Sequence, residues 1–233
     1  MNKIHSIIKQ LMSRNKELDV NSQQKFENLM AYVASDDIRL GNRKARIQYL
    51  CNIIVEYLNY REVVIKLQNA SDDIDNSSIY DIYSELEYHL GEKAQVKILQ
   101  TPYELEINEL AILLNPWNGR RVIENLFGIN SNNVFDGEKY QYNIKNAYFI
   151  PMNIVICSGA NHSQFAARYK NQGQTIIREV CDYSNLYDRV IFDGKGFKDK
   201  QISKYISFYN HFDRELIFYA GVLFEMGRYN MAI

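Results

Sequence analysis

The chain has 233 residues, 27 Lys and Arg against 28 Asp and Glu, and a formal net charge of −1. Near-zero charge argues against broad electrostatic capture of nucleic acid or of an anionic membrane. Hydrophobic residues make up 46% and aromatic residues 13%, which excludes a disordered chain and supports a core that needs no disulfide or metal staple.

The first ninety residues read as helices. Ile4, Ile7, Ile8 and Leu11 share one face at helical spacing. A second helix begins near Asn21 and carries Phe26, Leu29, Met30 and Val33. The third and longest runs from Asn42, a suitable N-cap, to about Gln68, with Ile47, Leu50, Cys51, Ile54, Leu58 and Ile65 at a 3.6-residue period. Ile53, Val55, Val63, Val64 and Leu67 lie on other sides of that helix, so it has two faces to bury. One face suits neighbouring helices. The other calls for the core, a protein partner or a second copy. The fourth helix runs from Ser78 as N-cap to Gly91 at the position after its end, and NASDDIDNSS before it is a polar linker.

After Gly91 the periodicity changes. Val96–Leu99 and Leu105–Leu110 are short apolar runs, and Tyr148–Cys157 (YFIPMNIVIC), Thr175–Cys181 and Val190–Phe192 read as strands. Helices are expected after Pro116 and after Gly159, and Asp199–Tyr229 reads as a closing helix. The expected organisation is a helical region over 1–91, an α/β core over 92–198 and a C-terminal helix over 199–233 packing on that core. The fold class is α+β, a small mixed sheet with flanking helices. No apolar run approaches the ~20 residues of a membrane span, the start does not read as a secretion signal, and Cys51, Cys157 and Cys181 are widely spaced. A reduced, cytoplasmic setting follows. The bias toward Asn, Ile, Tyr and Lys reads as an AT-rich bacterial or phage genome.

Ile154–Tyr169 (IVICSGANHSQFAARY) is the sharpest segment. An apolar strand enters a Gly-containing turn and then a helix. Gly159 permits close backbone approach. The first N–H groups of the helix lack intrahelical acceptors, which makes an anion site. Asn161, His162 and Ser163 fall in that first turn, and His162 can bond phosphate or move a proton. The plainer alternative is a helix cap with a structural histidine. Upstream, Asn118, Arg120 and Arg121 follow a Pro turn, and one of the two Arg can clamp phosphate. Trp117 stacks a base or anchors the turn. Asp182, Asp188 and Asp193 follow later, as metal or base candidates or as turn residues.

Ser158-Gly159-Ala160-Asn161-His162-Ser163, followed by Phe165-Ala166-Ala167 and Gly173, resembles box II of the ParB/sulfiredoxin-like superfamily. Asn115-Pro116-Trp117-Asn118-Gly119-Arg120 resembles its box I. The resemblance implies a cleft between the boxes that holds a nucleoside triphosphate or another phosphorylated ligand, with Mg²⁺ as a companion. Gly159, Asn161, Ser163, Asn118, Arg120 and Arg121 would bind the ligand, and His162 and Asp182 would act on it. Asn161 stands where the sulfiredoxin branch has its reactive Cys, and Ser163 where box II usually has Arg. Two functions are therefore expected: metal-dependent phosphoryl transfer or phosphodiester hydrolysis, or a non-catalytic interaction or ligand-sensing module. DNA binding ranks last, since little chain follows box II and the charge is −1.

Overall fold

The structure is a computed structural model that describes residues 21–69, 77–208 and 212–231. The Ile4–Leu11 segment and most of the NASDDIDNSS linker lie outside the described residues. The protein is α+β, with a main mixed sheet, a smaller antiparallel sheet and helices on both faces.

The helices begin and end where local chemistry dictates. Helix α1 covers residues 21–34. Helix α2 spans Arg43–Gln68, and the Asn42 side chain accepts from the Ala45 N–H at its start. Helix α3 spans Ile79–Leu90. Ser78 and Asp81 form a reciprocal capping box, and Gly91 closes the helix with φ +65°.

The main sheet is built from β1 (Gln95–Glu106), β2 (Ala111–Leu113), β4 (Asn146–Ile150), β5 (Ile154–Cys157) and β6 (Gly173–Asp182), in the order β1-β6-β4-β5-β2. The two-residue β3 (Phe135–Asp136) lies parallel beside the start of β6. β2 and β5 are parallel neighbours, with Leu113 opposite Ile156. Their residues alternate between two cores. Ala111, Leu113, Ile154 and Ile156 face the helices α1–α3 and α6 (Arg214–Met231). Ile112, Val155 and Cys157 face α4 (Gly119–Gly128) and α5 (Asn161–Lys170). The regions read separately from sequence, 1–91 and 199–233, thus share one apolar core with the sheet wherever they are described.

Both edges of the sheet are managed. At the β2 edge, fully buried Asn59 of α2 donates to the Ile112 carbonyl (2.9 Å) and accepts from the Leu114 N–H (2.7 Å), as a neighbouring strand would. At the β1 edge, pairing with β6 slips between Ile98 and Tyr103, a bulge that includes Pro102. Bulges and Pro both blunt an edge.

Three elements differ from expectation. YFIPMNIVIC is a hairpin of β4 and β5, because the Pro151–Asn153 turn, with Asn153 at φ +60°, reverses the chain. β1 starts upstream of both apolar runs, at Gln95, and ends at Glu106. The closing helix starts only at Arg214. Phe197–Asp199 and Lys204–Tyr205 are β8 and β9, which form the small sheet with β7 (Val190–Phe192), and Phe192 and Phe197 pack there at 5.1 Å.

Candidate functional site

The C-terminal ends of parallel strands β2 and β5 lie side by side, so the turns that leave them meet. The Asn161 side chain accepts from the Asn115 N–H (3.0 Å), and the His162 Nε2 accepts from the Asn118 N–H (3.1 Å). Ser163 Oγ donates to the Asn125 side chain of α4 (2.8 Å). Three consecutive side chains at the start of α5 thereby tie the Pro116 turn and α4 to the Ser158–Ala160 turn. Both sequence segments border one cleft, as expected.

A cavity of about 550 Å³ opens there. Its floor is Ser158–Ser163, including the N-terminus of α5. Trp117, Arg121 and Asn125 form one wall, and Phe135, Tyr140 and Asn143 form another. The Arg121 guanidinium lies 4.7 Å above the Trp117 ring. The Phe135 and Tyr140 rings stack at 6.2 Å on the far side. Arg121 is the one charged side chain among the described lining residues.

The α5 N-terminus has an unusual entry. Ala160 occupies the capping position with φ +59° and offers no side-chain cap. A Cβ on Gly159 would overlap the Asn143 carbonyl oxygen, so glycine is required for that loop to close over the turn. Behind the turn, Gln164 donates to the Gly159 carbonyl (3.2 Å) and bonds buried Asn146 and Thr175, which also bond each other. This satisfied buried network fixes the floor of the cavity from within the core.

His162 lies in the first turn of α5 and lines the cavity, but it is only 7% exposed, not partly open to solvent as expected. The Trp117 ring packs edge-on against it at 5.1 Å. Burial, together with the Arg121 charge, lowers its pKa to about 4. The ring is therefore neutral near pH 7. With Nε2 accepting, its proton sits on Nδ1. His162 therefore brings no positive charge to the cavity.

The other residues separate cleanly. Gly159, Asn161, Ser163 and Arg121 line the cavity. Asn118 caps α4 by accepting from the Arg121 N–H (2.9 Å) and positions the turn. Arg120 points away, its side chain 85% exposed and paired with Glu124. Asp182 is not brought to this site. It ends β6 opposite Ile150, beside the β4–β5 turn and at the other end of the sheet, where it accepts from the Ser184 N–H (2.9 Å). Asp193 is a turn residue, bonded to the Lys195 and Gly196 N–H groups. The pairing of His162 with Asp182 in one centre is thus corrected by topology. Cys157 is buried, with its thiol pushed up to about 12 by that burial, so it is not a nucleophile near neutral pH. Sequence reading passed over Asn125, Asn143, Phe135 and Tyr140. Asn125 lies on α4, and the other three come from the Asn-rich stretch between the two turns, which carries no periodic signal.

Fold and site together define an α+β protein with a ligand-sized cavity at the carboxyl ends of two parallel strands. The chain belongs to a family described as "Family of unknown function (DUF6710)", whose model matches residues 11–232. No curated protein and no solved structure matches it. Among the described residues, no helix is long and apolar enough to cross a membrane, and no group of three or more His, Cys, Asp or Glu is placed to hold a metal.

Proposed function

We propose that the protein is a binding module for a small phosphorylated ligand with an aromatic base, a nucleotide, and that it acts as a sensor or adaptor rather than a catalyst. The observation that carries this is the convergence of the α5 N-terminus and Arg121 on one cavity of about 550 Å³, a size typical of small-molecule sites. The helix N-terminus and Arg121 suit phosphate. Trp117 and the Phe135–Tyr140 pair suit a flat base, and Asn125 and Asn143 suit its polar edges. The ParB/sulfiredoxin-like resemblance agrees with this placement of the ligand between the two boxes.

Catalysis is the less favoured reading. Metal-assisted phosphoryl transfer needs carboxylates to hold Mg²⁺, and the described lining contains none. A nucleoside triphosphate would have to bring its Mg²⁺ with it. One Arg is better matched to a single phosphate. A cytoplasmic setting belongs to the same proposal, and the three buried, unpaired Cys agree with it.

A thermal-shift panel of nucleoside mono-, di- and triphosphates, with Mg²⁺ or EDTA, tests the reading. A ligand at ~100 times its dissociation constant should stabilise the fold by ~2.7 kcal/mol, and a monophosphate should do so equally in EDTA. A flat panel rejects nucleotide binding. A response only to triphosphate with Mg²⁺ returns the catalytic reading to the front.

A further inference from the structure

A second cavity, of about 670 Å³, lies between α1, the β7–β8 hairpin and the start of α6. It shares no described lining residue with the first. Phe192 of β7 is the wedge that builds it. On one side, Gly194 turns the hairpin with φ +86°, and a Cβ there would strike the Gln23 Cα and the Phe26 Cβ of α1. The Phe26 ring packs edge-on against Phe192 at 5.4 Å. On the other side, a Cβ on Gly221 of α6 would overlap the Phe192 ring. Beside this wedge, Phe192, Ile206, Ile217, Phe218 and Tyr219 give the cavity an apolar wall. The last four stay partly exposed although they pack on the main core.

Three cations also line the cavity, each from a different element: Lys25 from α1, Lys195 from the hairpin turn and Arg214 from the first turn of α6. All three are exposed. None of them forms an ion pair among the described residues, whereas most of the described Arg side chains do. The carboxylates close to them in sequence are committed elsewhere. Glu215, the one acid among the described lining residues, accepts from Tyr57 (2.7 Å) and Arg61 (2.8 Å). Asp213 pairs with Arg61, and Asp193 holds the hairpin turn and the Tyr205 hydroxyl (2.6 Å). A chain of net charge −1 thus gathers three unpaired cations around one apolar cavity.

We infer that this cavity is a binding site for an anionic amphiphile of the fatty-acid class. Its volume is that of a small-molecule site. The apolar wall favours a hydrocarbon body in proportion to the area it removes from water. The cations select a negative head group, and their long apolar stems line the path of the tail while their charges stay in water. The chain's own first twenty residues are a poorer occupant. There Lys3, Lys9, Arg14 and Lys16 outnumber Glu17 and Asp19 and so repeat the sign of the cavity.

The test is calorimetric titration of the full chain with dodecanoate, and with dodecyltrimethylammonium, which has the same tail and the opposite charge. Saturable binding of dodecanoate is expected, at least tenfold tighter than that of the cation and weakened by added salt. Lys195→Ala and Arg214→Ala should each weaken it about three- to tenfold, with unchanged circular dichroism spectra. Should Arg214→Ala disturb the start of α6, Lys25→Ala on α1 reads the same effect. No saturable binding overturns the inference, as does equal affinity for the two amphiphiles. Affinity that falls with Arg121→Ala but not with Lys195→Ala also overturns it, because the anion then sits in the first cavity. The nucleotide panel and this titration read different cavities, so either can fail alone.

Discussion

The two ends of the main sheet use turns in opposite ways. At the β4–β5 end, the Pro151–Asn153 turn is packed solid. Fully buried Met152 lies against Gly227 of α6, the Asn230 side chain donates to the Pro151 carbonyl (2.8 Å), and Tyr187 stacks on Phe224 at 4.1 Å. At the β2–β5 end, the turns bond mainly to each other through Asn161 and His162, and a cavity remains between α4, α5 and the Asn-rich loop. Hydrogen bonds hold the turns at both ends, but to a filling helix at one and as a frame around open space at the other. A frame is the arrangement that can admit a ligand.

Paired glycine substitutions should break this contrast most strongly. Gly227→Ala would drive a Cβ into the Tyr187 hydroxyl, and Gly159→Ala would drive one into the Asn143 carbonyl. Each should cost about 1–3 kcal/mol in urea denaturation, the range of overpacked sites. Nucleotide affinity of the folded fraction should survive Gly227→Ala and fall with Gly159→Ala. Equal ligand effects would erase the distinction between the ends.

His162→Ala should have the next largest effect, because it leaves the Asn118 N–H without its acceptor. About 1–2 kcal/mol is expected near pH 8. The pH dependence has a definite sign. The unfolded imidazole titrates near 6.5, while in the fold it stays neutral down to about 4. Its contribution is full above pH 6.5 and is lost as pH falls toward 4. The stability gap between wild type and His162→Ala should therefore narrow from pH 7 to pH 4 in a denaturation series. A gap that widens would mean that the ring is charged in the fold.

Arg121→Ala and Arg120→Ala give the smallest change in stability, within about 0.5 kcal/mol for each. They differ in binding. Loss of one charge-assisted contact should weaken a phosphorylated ligand roughly ten- to a hundredfold for Arg121→Ala. Arg120→Ala, whose side chain faces solvent beside Glu124, should leave calorimetric affinity unchanged.

Much of the fold was legible because local chemistry decided it. Asn42, Ser78 and Gly91 mark helix ends through bonds made within a few residues, and α2 and α3 end where those signals stand. The two turns of the site were legible for the same reason. The β4–β5 hairpin was not, since one unbroken apolar run conceals a reversal at Pro151–Asn153. The start of α6 was missed because Ile202, Ile206 and Phe208 fit a helical stripe, although the chain there forms β9 and its approach to α6. The Asn146–Gln164–Thr175 network joins residues far apart in sequence. So does the distance of Asp182 from the cavity, which is set by the parallel pairing of β4 with β6. No window of sequence holds such information.

Asn59 carries a consequence for how the chain can change length. Each residue of an α-helix turns it by about 100°, so a single insertion or deletion between Asn42 and Asn59 would swing the amide off β2 and bring an apolar side chain to the open strand edge. The same slip would turn Tyr60 away from α5, where its ring meets Phe165. Length variation in this stretch is thus confined to whole-turn steps of three or four residues, while the β1 edge, already interrupted at its bulge, can absorb single ones.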